Sequence, residues 1–345
     1  MIFQIPIEPL EERYSSQWER WFSAFFDKHD VPYQNIPGSI LRGEIKDGAF
    51  LDAFNTNYWK SAQLKNIIEL LEKGEIRDGD VLFFHDLWFP GIEQLAYIRD
   101  VTKKKFRIAG YLHAGTWDAY DFLTRHLTPW VTSFEQMLMD VVDVVMLGSN
   151  FHAGLISAAF PAYSKKLNVI GLPFNFLEIV PSPEMSIPAL AHDTTFTIVF
   201  PHRLDQEKRP ELFDSLKNYA PLQDYAFVKT RDYWNGYKQD YYDLLSTCTL
   251  AVSFAKQETF GIAMVEAAIL GCLPVLPKAL AYPDVWPQEG PLWYTDVAQV
   301  KEILSSYLRS FNAKEHKKRL SICTSHLRAN YSLQTVGEKV LRLLL

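Results

Sequence analysis

Two glutamates, Glu258 and Glu266, stand eight residues apart around the run Thr259-Phe260-Gly261-Ile262. On one helix the rise would separate them by roughly 12 Å, against the roughly 5–5.5 Å that a double-displacement carboxylate pair needs. They therefore read as two grips on different parts of one elongated ligand. Glu266 falls in an otherwise apolar helical stretch, Gly261–Leu270, where a carboxylate is costly to bury without hydrogen-bond partners. A pair of ribose hydroxyls would satisfy it, and so would an arginine or backbone amides from within the fold. Gly261 lets the backbone approach a ligand closely, and the amides of the helix start suit a phosphate or sugar hydroxyls.

A second stretch, Phe196 to Phe200, reads as a strand that runs into Pro201-His202-Arg203-Leu204-Asp205-Gln206-Glu207-Lys208-Arg209. A helix then opens at Pro210. Cations beside a helix start at the carboxyl end of a strand suit a diphosphate. The competing reading is a surface loop in which Arg203 and Lys208 pair with Asp205 and Glu207.

Two histidines stand at expected strand ends in the first half, His85 followed by Asp86, and His113. Either is a candidate for contact with a ligand, and either would be satisfied by a backbone hydrogen bond. Tyr14, Trp88, Trp117 and Tyr120 also gather after strand ends. They offer stacking faces for a sugar ring or nucleobase, or core packing. No helical spacing of histidines suggests a metal site.

The elements that must hold these residues alternate. Short apolar runs are expected as strands at Ile2–Ile7, Val81–Phe84, Phe106–Leu112, Val142–Leu147 and Leu167–Gly171. Amphipathic helices are expected between them, at Ser16–Lys28, Ser61–Lys73, Gly91–Asp100, Leu127–Met139 and Phe151–Ala159. Four prolines, Pro173, Pro181, Pro183 and Pro188, then mark a linker. A second alternation follows, closing on helices at Val297–Phe311, Lys314–Tyr331 and Leu333–Leu345. This pattern predicts two doubly wound parallel sheets facing a cleft, with ligands at the carboxyl ends of the strands. The expected domains are residues 1–175 and 176–332, with 333–345 packing back on the first.

The 345-residue length suits two domains. A net charge of −6, divided as −5 over the first 175 residues and −1 over the rest, argues against a strong polyanion binder. The basic runs Lys103–Arg107 and Lys314–Arg319 read as solvated faces. Three widely spaced cysteines suggest neither a disulfide framework nor zinc, which fits the cytoplasm. Neither a signal peptide nor a membrane span is expected.

The Glu258–Glu266 segment, with its flanks Thr-Phe-Gly-Ile, Val-Glu-Ala and Gly-Cys-Leu-Pro-Val, resembles the Glu-x7-Glu motif of retaining GT-B glycosyltransferases, above all the glycosyltransferase 4-like family. Arg203-Leu-Asp-Gln-Glu-Lys-Arg-Pro-Glu-Leu resembles that family's second signature, and the resemblance covers about residues 195–290 well. It implies that Arg203 and Lys208 neutralise the diphosphate of a nucleotide-sugar donor whose base is unspecified. It implies too that Glu266 binds the ribose, and that Glu258 with Phe260, Gly261 and Ile262 holds the transferred sugar. His113 would touch that sugar, with no bound cofactor or divalent metal required. The loop Ile7-Glu8-Pro9-Leu10 departs from the Gly-rich turn of many relatives, so the acceptor stays open among glycan, lipid and modified DNA base. The opening segment resembles, less closely, glycosyltransferases of phage genomes. A non-catalytic nucleotide-sugar binder, or a phosphorylase or epimerase on the same architecture, are the other classes.

Overall fold

The computed structural model describes residues 1–10, 14–41, 53–121, 123–124, 129–182, 196–233 and 236–345. The chain divides into two compact units. One comprises Met1–Gly148, His152–Pro173 and Leu333–Leu345, and the other Ser149–Phe151 with Phe174–Ser332. Pro183 and Pro188 of the expected linker lie outside the described residues.

The first unit is built on six parallel strands: β1 (Ile2–Ile5), β2 (Tyr33–Asn35), β3 (Val81–Phe84), β4 (Arg107–Tyr111), β5 (Val144–Leu147) and β6 (Leu167–Val169), in the order β2-β1-β3-β4-β5-β6. The central strands β1 and β3 are buried at every position, as sheets covered on both faces require. Helix α1 (Tyr14–Lys28) buries Trp18, Trp21, Phe22, Phe25 and Phe26, an i, i+3, i+4, i+7, i+8 stripe. Gln4, on β1, reaches the same helix through Nε2, which donates to the Glu19 carbonyl at 3.0 Å. Helices α2 (Ala53–Glu72), α3 (Ile92–Thr102), α4 (Trp130–Val141) and α5 (Asn150–Ala159) form the crossovers.

The second unit carries β7 (Thr197–Phe200), α6 (Pro210–Leu216), β8 (Ala226–Lys229), α7 (Lys238–Ser246), β9 (Leu250–Val252), α8 (Ile262–Ile269), β10 (Leu273–Pro277), α9 (Tyr282–Val285), β11 (Leu292–Tyr294), α10 (Ala298–Arg309) and α11 (Ala313–Tyr331). Its five parallel strands run β11-β10-β9-β7-β8. Helix α11 starts where the Asn312 side chain accepts the amides of Lys314 and Glu315.

The last helix, α12 (Leu333–Leu344), belongs to the first unit and lies against α1. Gly337 makes this approach possible, because a Cβ there would come within 2.6 Å of the Phe25 ring. Lys28 Nζ donates to Gln334 Oε1 at 2.9 Å, and the Arg107 guanidinium donates to the Leu343 carbonyl at 2.9 Å.

In both sheets the strand order reverses next to the first strand, between β1 and β3 in one and between β7 and β9 in the other. Ligands of open parallel sheets bind at the carboxyl ends of strands flanking such a reversal. The loops after β7 and β9 hold Arg203, Lys208 and Glu258, and the loops after β1 and β3 hold Glu8, His85 and Asp86.

Candidate active site

In the second unit, a short 3-10 turn at Gln206–Lys208 points Lys208 inward. The Lys208 ammonium is buried and donates to the Gln257 carbonyl at 2.5 Å, to Gln257 Oε1 at 3.3 Å and to Glu258 Oε2 at 3.2 Å. The other Glu258 oxygen accepts the amides of Gly261 at 2.9 Å and Phe260 at 3.4 Å. Glu258 thus holds the turn that leads into α8, and the Phe260 and Gly261 amides that sequence reasoning offers to a sugar are committed to it. Burial pushes the Glu258 carboxyl up, but Lys208, the neighbouring His202 and these hydrogen bonds outweigh it, and the net direction is down. It stays ionised at neutral pH.

Gly261 opens α8 with φ +96°, and a Cβ there would come within 2.9 Å of the Tyr282 ring. Tyr282 is itself fixed by a 2.6 Å hydrogen bond between its hydroxyl and Ser253 Oγ. The glycine is thus required both by backbone sign and by space. Ile262 is the first residue of α8.

Arg203 bonds Glu207 Oε1 through Nη2 at 2.6 Å and pairs with Asp205 through Nε. Burial pushes Glu207 up, but its own backbone amide and Arg203 bring it below its ordinary value. The loop therefore contains internal pairs of Arg203 with Asp205 and Glu207, as the competing surface-loop reading expects, and it also fixes two cations at the carboxyl end of β7. His202, unmarked by sequence reasoning, sits beside them. It is buried, its Nε2 has no hydrogen-bond partner among the described residues, and burial followed by the nearby Lys208 charge pushes it down to about 3.

Glu266 lies on α8, one turn in from Gly261, and is 2% exposed. Its Oε1 meets Lys238 Nζ at 2.7 Å and accepts the Tyr242 hydroxyl at 3.1 Å. The in-fold partner is thus a lysine at the start of α7, a residue the sequence did not single out.

In the first unit, His85 is fully buried after β3, and among the described residues neither ring nitrogen has a partner. The rings of Phe83, Phe22 and Trp18 surround it at 5.3, 5.4 and 6.0 Å. Burial, and then His113, hold it down at about 3, so it is neutral. The His113 Nε2 stands 2.8 Å from the His85 carbonyl, which can only accept, so that nitrogen carries the proton. Burial lowers His113 too, partly opposed by Asp86. Tyr14 and Trp18 pack around His113 at 5.6 and 5.4 Å. Asp86 accepts from Lys60 Nζ at 3.3 Å and from the Trp88 amide at 3.1 Å.

The two tryptophans are tied to internal partners. Trp88 Nε1 donates to Glu135 at 3.4 Å, and Trp117 Nε1 donates to His152 Nε2 at 3.2 Å. Glu135, buried on α4, also accepts the Thr116 amide at 2.8 Å and its hydroxyl, and so anchors the loop after β4. Its signal in the sequence was a carboxylate on an apolar helix face. Tyr120 and Trp130, following β4, are 50% and 54% exposed. Among the described residues no group of three or more His, Cys, Asp or Glu is gathered to hold a metal ion. Among them also, no helix is long and apolar enough to cross a membrane.

No family model matches the sequence. The chain is similar to tRNA-queuosine alpha-mannosyltransferase of Drosophila melanogaster, 27% identical over 166 residues, 40% of this chain and 44% of that protein. The match therefore spans less than half of the relative's length. Among solved structures it is similar to Anabaena HepE in complex with UDP and glucose (TM-score 0.66, 12% identity, 99% of this chain and 98% of that one). It is also similar to sucrose-phosphate synthase from Thermosynechococcus elongatus (0.68, 12%, 99% and 97%). A third is alpha,alpha-trehalose-phosphate synthase (UDP-forming) from Burkholderia vietnamiensis (0.66, 11%, 99% and 98%). The likeness spans both units and establishes a GT-B fold made of two Rossmann-like parallel-sheet domains.

Proposed function

We propose that this chain is a glycosyltransferase that moves a sugar from a nucleotide-sugar donor to a hydroxyl acceptor with retention of anomeric configuration. The observation that carries this reading is the meeting of Arg203, Lys208, Glu258 and the start of α8 at the strand-order reversal of the second sheet. Two fixed cations there suit a departing diphosphate, whose developing charge they stabilise without reorganising. A phosphoryl oxygen would take over the weakest Lys208 contact, the 3.3 Å one to Gln257 Oε1. Glu258, ionised beside the anomeric carbon, favours positive charge on the sugar ring, and its second oxygen fixes the helix start. Glu266 receives the ribose. Solved neighbours hold UDP, UDP with glucose, and UDP-glucose, which supports a nucleotide-sugar donor here.

Acceptor recognition we assign to His85, Asp86, Trp88, Trp117 and Tyr14 at the carboxyl edge of the first sheet, and contact with the transferred sugar to His113. A second reading of the acceptor rests on the relative named for tRNA-queuosine. A hydroxyl on a modified nucleoside in RNA would then be the target, the same chemical class as a modified DNA base. The exposed rings of Tyr120 and Trp130 would serve as stacking faces for neighbouring bases.

The test is calorimetric titration of UDP-, GDP-, ADP- and TDP-sugars into the wild type and Arg203→Ala. Binding of one donor, weakened tenfold or more (~1.4 kcal/mol or above) in the variant, supports the reading. A well-folded wild type that binds none of them refutes it. Labelled transfer from the bound donor to tRNA, hydroxymethylated DNA, glycans or lipids then identifies the acceptor.

A further inference from the structure

Glu266 is not held as a lone carboxylate. Lys238 Nζ and the Tyr242 hydroxyl both meet the same oxygen, Oε1, at 2.7 and 3.1 Å. The Lys238 side chain is only 14% exposed, and its ammonium lies 4.7 Å from the Tyr241 ring centre and 5.3 Å from that of Tyr242. This seat on two ring faces restrains a side chain that is otherwise among the most mobile. An ammonium has three N–H donors and no acceptor, and only one is needed for Glu266. The described contacts leave Glu266 Oε2 outside this bonding, while Oε1 is filled.

We infer that Lys238 is a specificity-determining residue of the donor site, forming with Glu266 a two-part receptor for the vicinal diol of the donor's ribose. One hydroxyl donates to Glu266 Oε2, and the other accepts from Lys238 Nζ. A diol fits such a pair because each of its hydroxyls both donates and accepts. A carboxylate alone accepts only, so it would treat the two hydroxyls alike. The pair reads them as different groups, and a ribose lacking either one loses a separate, identifiable contact. The inference rests on the donor-site reading above, and it adds to it a residue and a division of labour.

The experiment measures binding of UDP and GDP, each with its 2′-deoxy and 3′-deoxy analogues, to the wild type, Lys238→Met, Lys238→Arg, Glu266→Gln and Lys238→Met/Glu266→Gln. The double variant removes both charges together, so no unpaired carboxylate is left to unfold the chain. The wild type should lose about tenfold affinity for each deoxy form, the worth of a hydrogen bond to a charged group. In Lys238→Met one of the two penalties should vanish while the other persists, and in Glu266→Gln the persisting one should shrink. Lys238→Arg should restore discrimination at both positions. A lysine that merely neutralised Glu266 would alter melting and leave discrimination alone. If Lys238→Met binds the nucleotide and keeps both penalties, the inference is overturned while the donor reading stands. If the wild type binds neither nucleotide series, the donor reading falls, and the inference with it.

Discussion

Replacing Lys208 by methionine should unbalance the donor-side network in a calculable way. Lys208 and Glu258 are 8% and 15% exposed at the side chain, so solvent screens the pair only modestly. Removing one partner of a buried pair costs about 3–5 kcal/mol, because the other charge is left uncompensated. Glu258 keeps the Gly261 and Phe260 amides, which places the loss at the lower end, about 3 kcal/mol. With a urea dependence of about 2–3 kcal/mol per M, the unfolding midpoint should fall by about 1–1.5 M. The pH dependence gives a second reading. In the wild type Glu258 titrates below its ordinary 4.5, so its stabilising contribution is present above that pH and is lost as pH falls through the lower folded value. Without Lys208 burial dominates, the carboxyl moves up, and the variant regains stability as pH falls from 7 towards 5. The gap between the two proteins should therefore narrow on acidification. Lys208→Met/Glu258→Gln should recover most of the loss. A gap under about 1 kcal/mol, or one constant between pH 7 and 5, would refute the account of Glu258 as a carboxylate held ionised by a buried ammonium.

Two further outcomes are expected elsewhere. His85, held at about 3 against an ordinary 6.5, contributes stability that is complete above pH 6.5 and is lost as pH falls towards 3. His85→Phe should fold, since its neighbours are aromatic rings, and thermal melts from pH 7 to 4 should show a shallower decline than the wild type. The decline should persist in part, because His152 and His202 are also held at about 3. Gly337→Val should cost about 1–3 kcal/mol by forcing α12 off the Phe25 ring, with Gly337→Ala milder. Equal melting temperatures for both variants and the wild type would show that the helix contact carries no weight.

The sheets were legible because their central strands are continuous apolar runs, and Val81–Phe84 was read with its exact limits. The edge strands Tyr33–Asn35 and Leu292–Tyr294 were missed. Each has three residues, is partly exposed, and is defined by pairing with a distant strand that no local pattern announces. Helix α2 begins at Ala53, well before the expected Ser61, because Asn55, Thr56, Lys60 and Gln63 on its buried side are polar and blur the stripe. At the candidate site, motif spacing singled out Arg203, Lys208, Glu258 and Glu266, whose types are rare in apolar surroundings. Lys238 escaped notice because its meaning lies in a side-chain contact with Glu266 across two helices, and a lone surface-type lysine carries no such mark. His202 stood in plain view next to Arg203, but only the fold reveals that its Nε2 is buried without a partner among the described residues.

The return of Leu333–Leu344 to the first unit makes the second unit an insertion within the first. During synthesis, α1 emerges about 300 residues before the helix that covers its Phe25 side. At about 5–20 residues per second the interval is roughly 15–60 s. In that time the second unit can fold completely, whereas the first waits with the Phe25 side of α1 uncovered. That side can meanwhile be covered by a chaperone, or by the corresponding helix of another copy, which would exchange ends between two chains. The contact between α1 and α12 joins segments about 300 residues apart, so the first unit closes this seam only after the second has emerged.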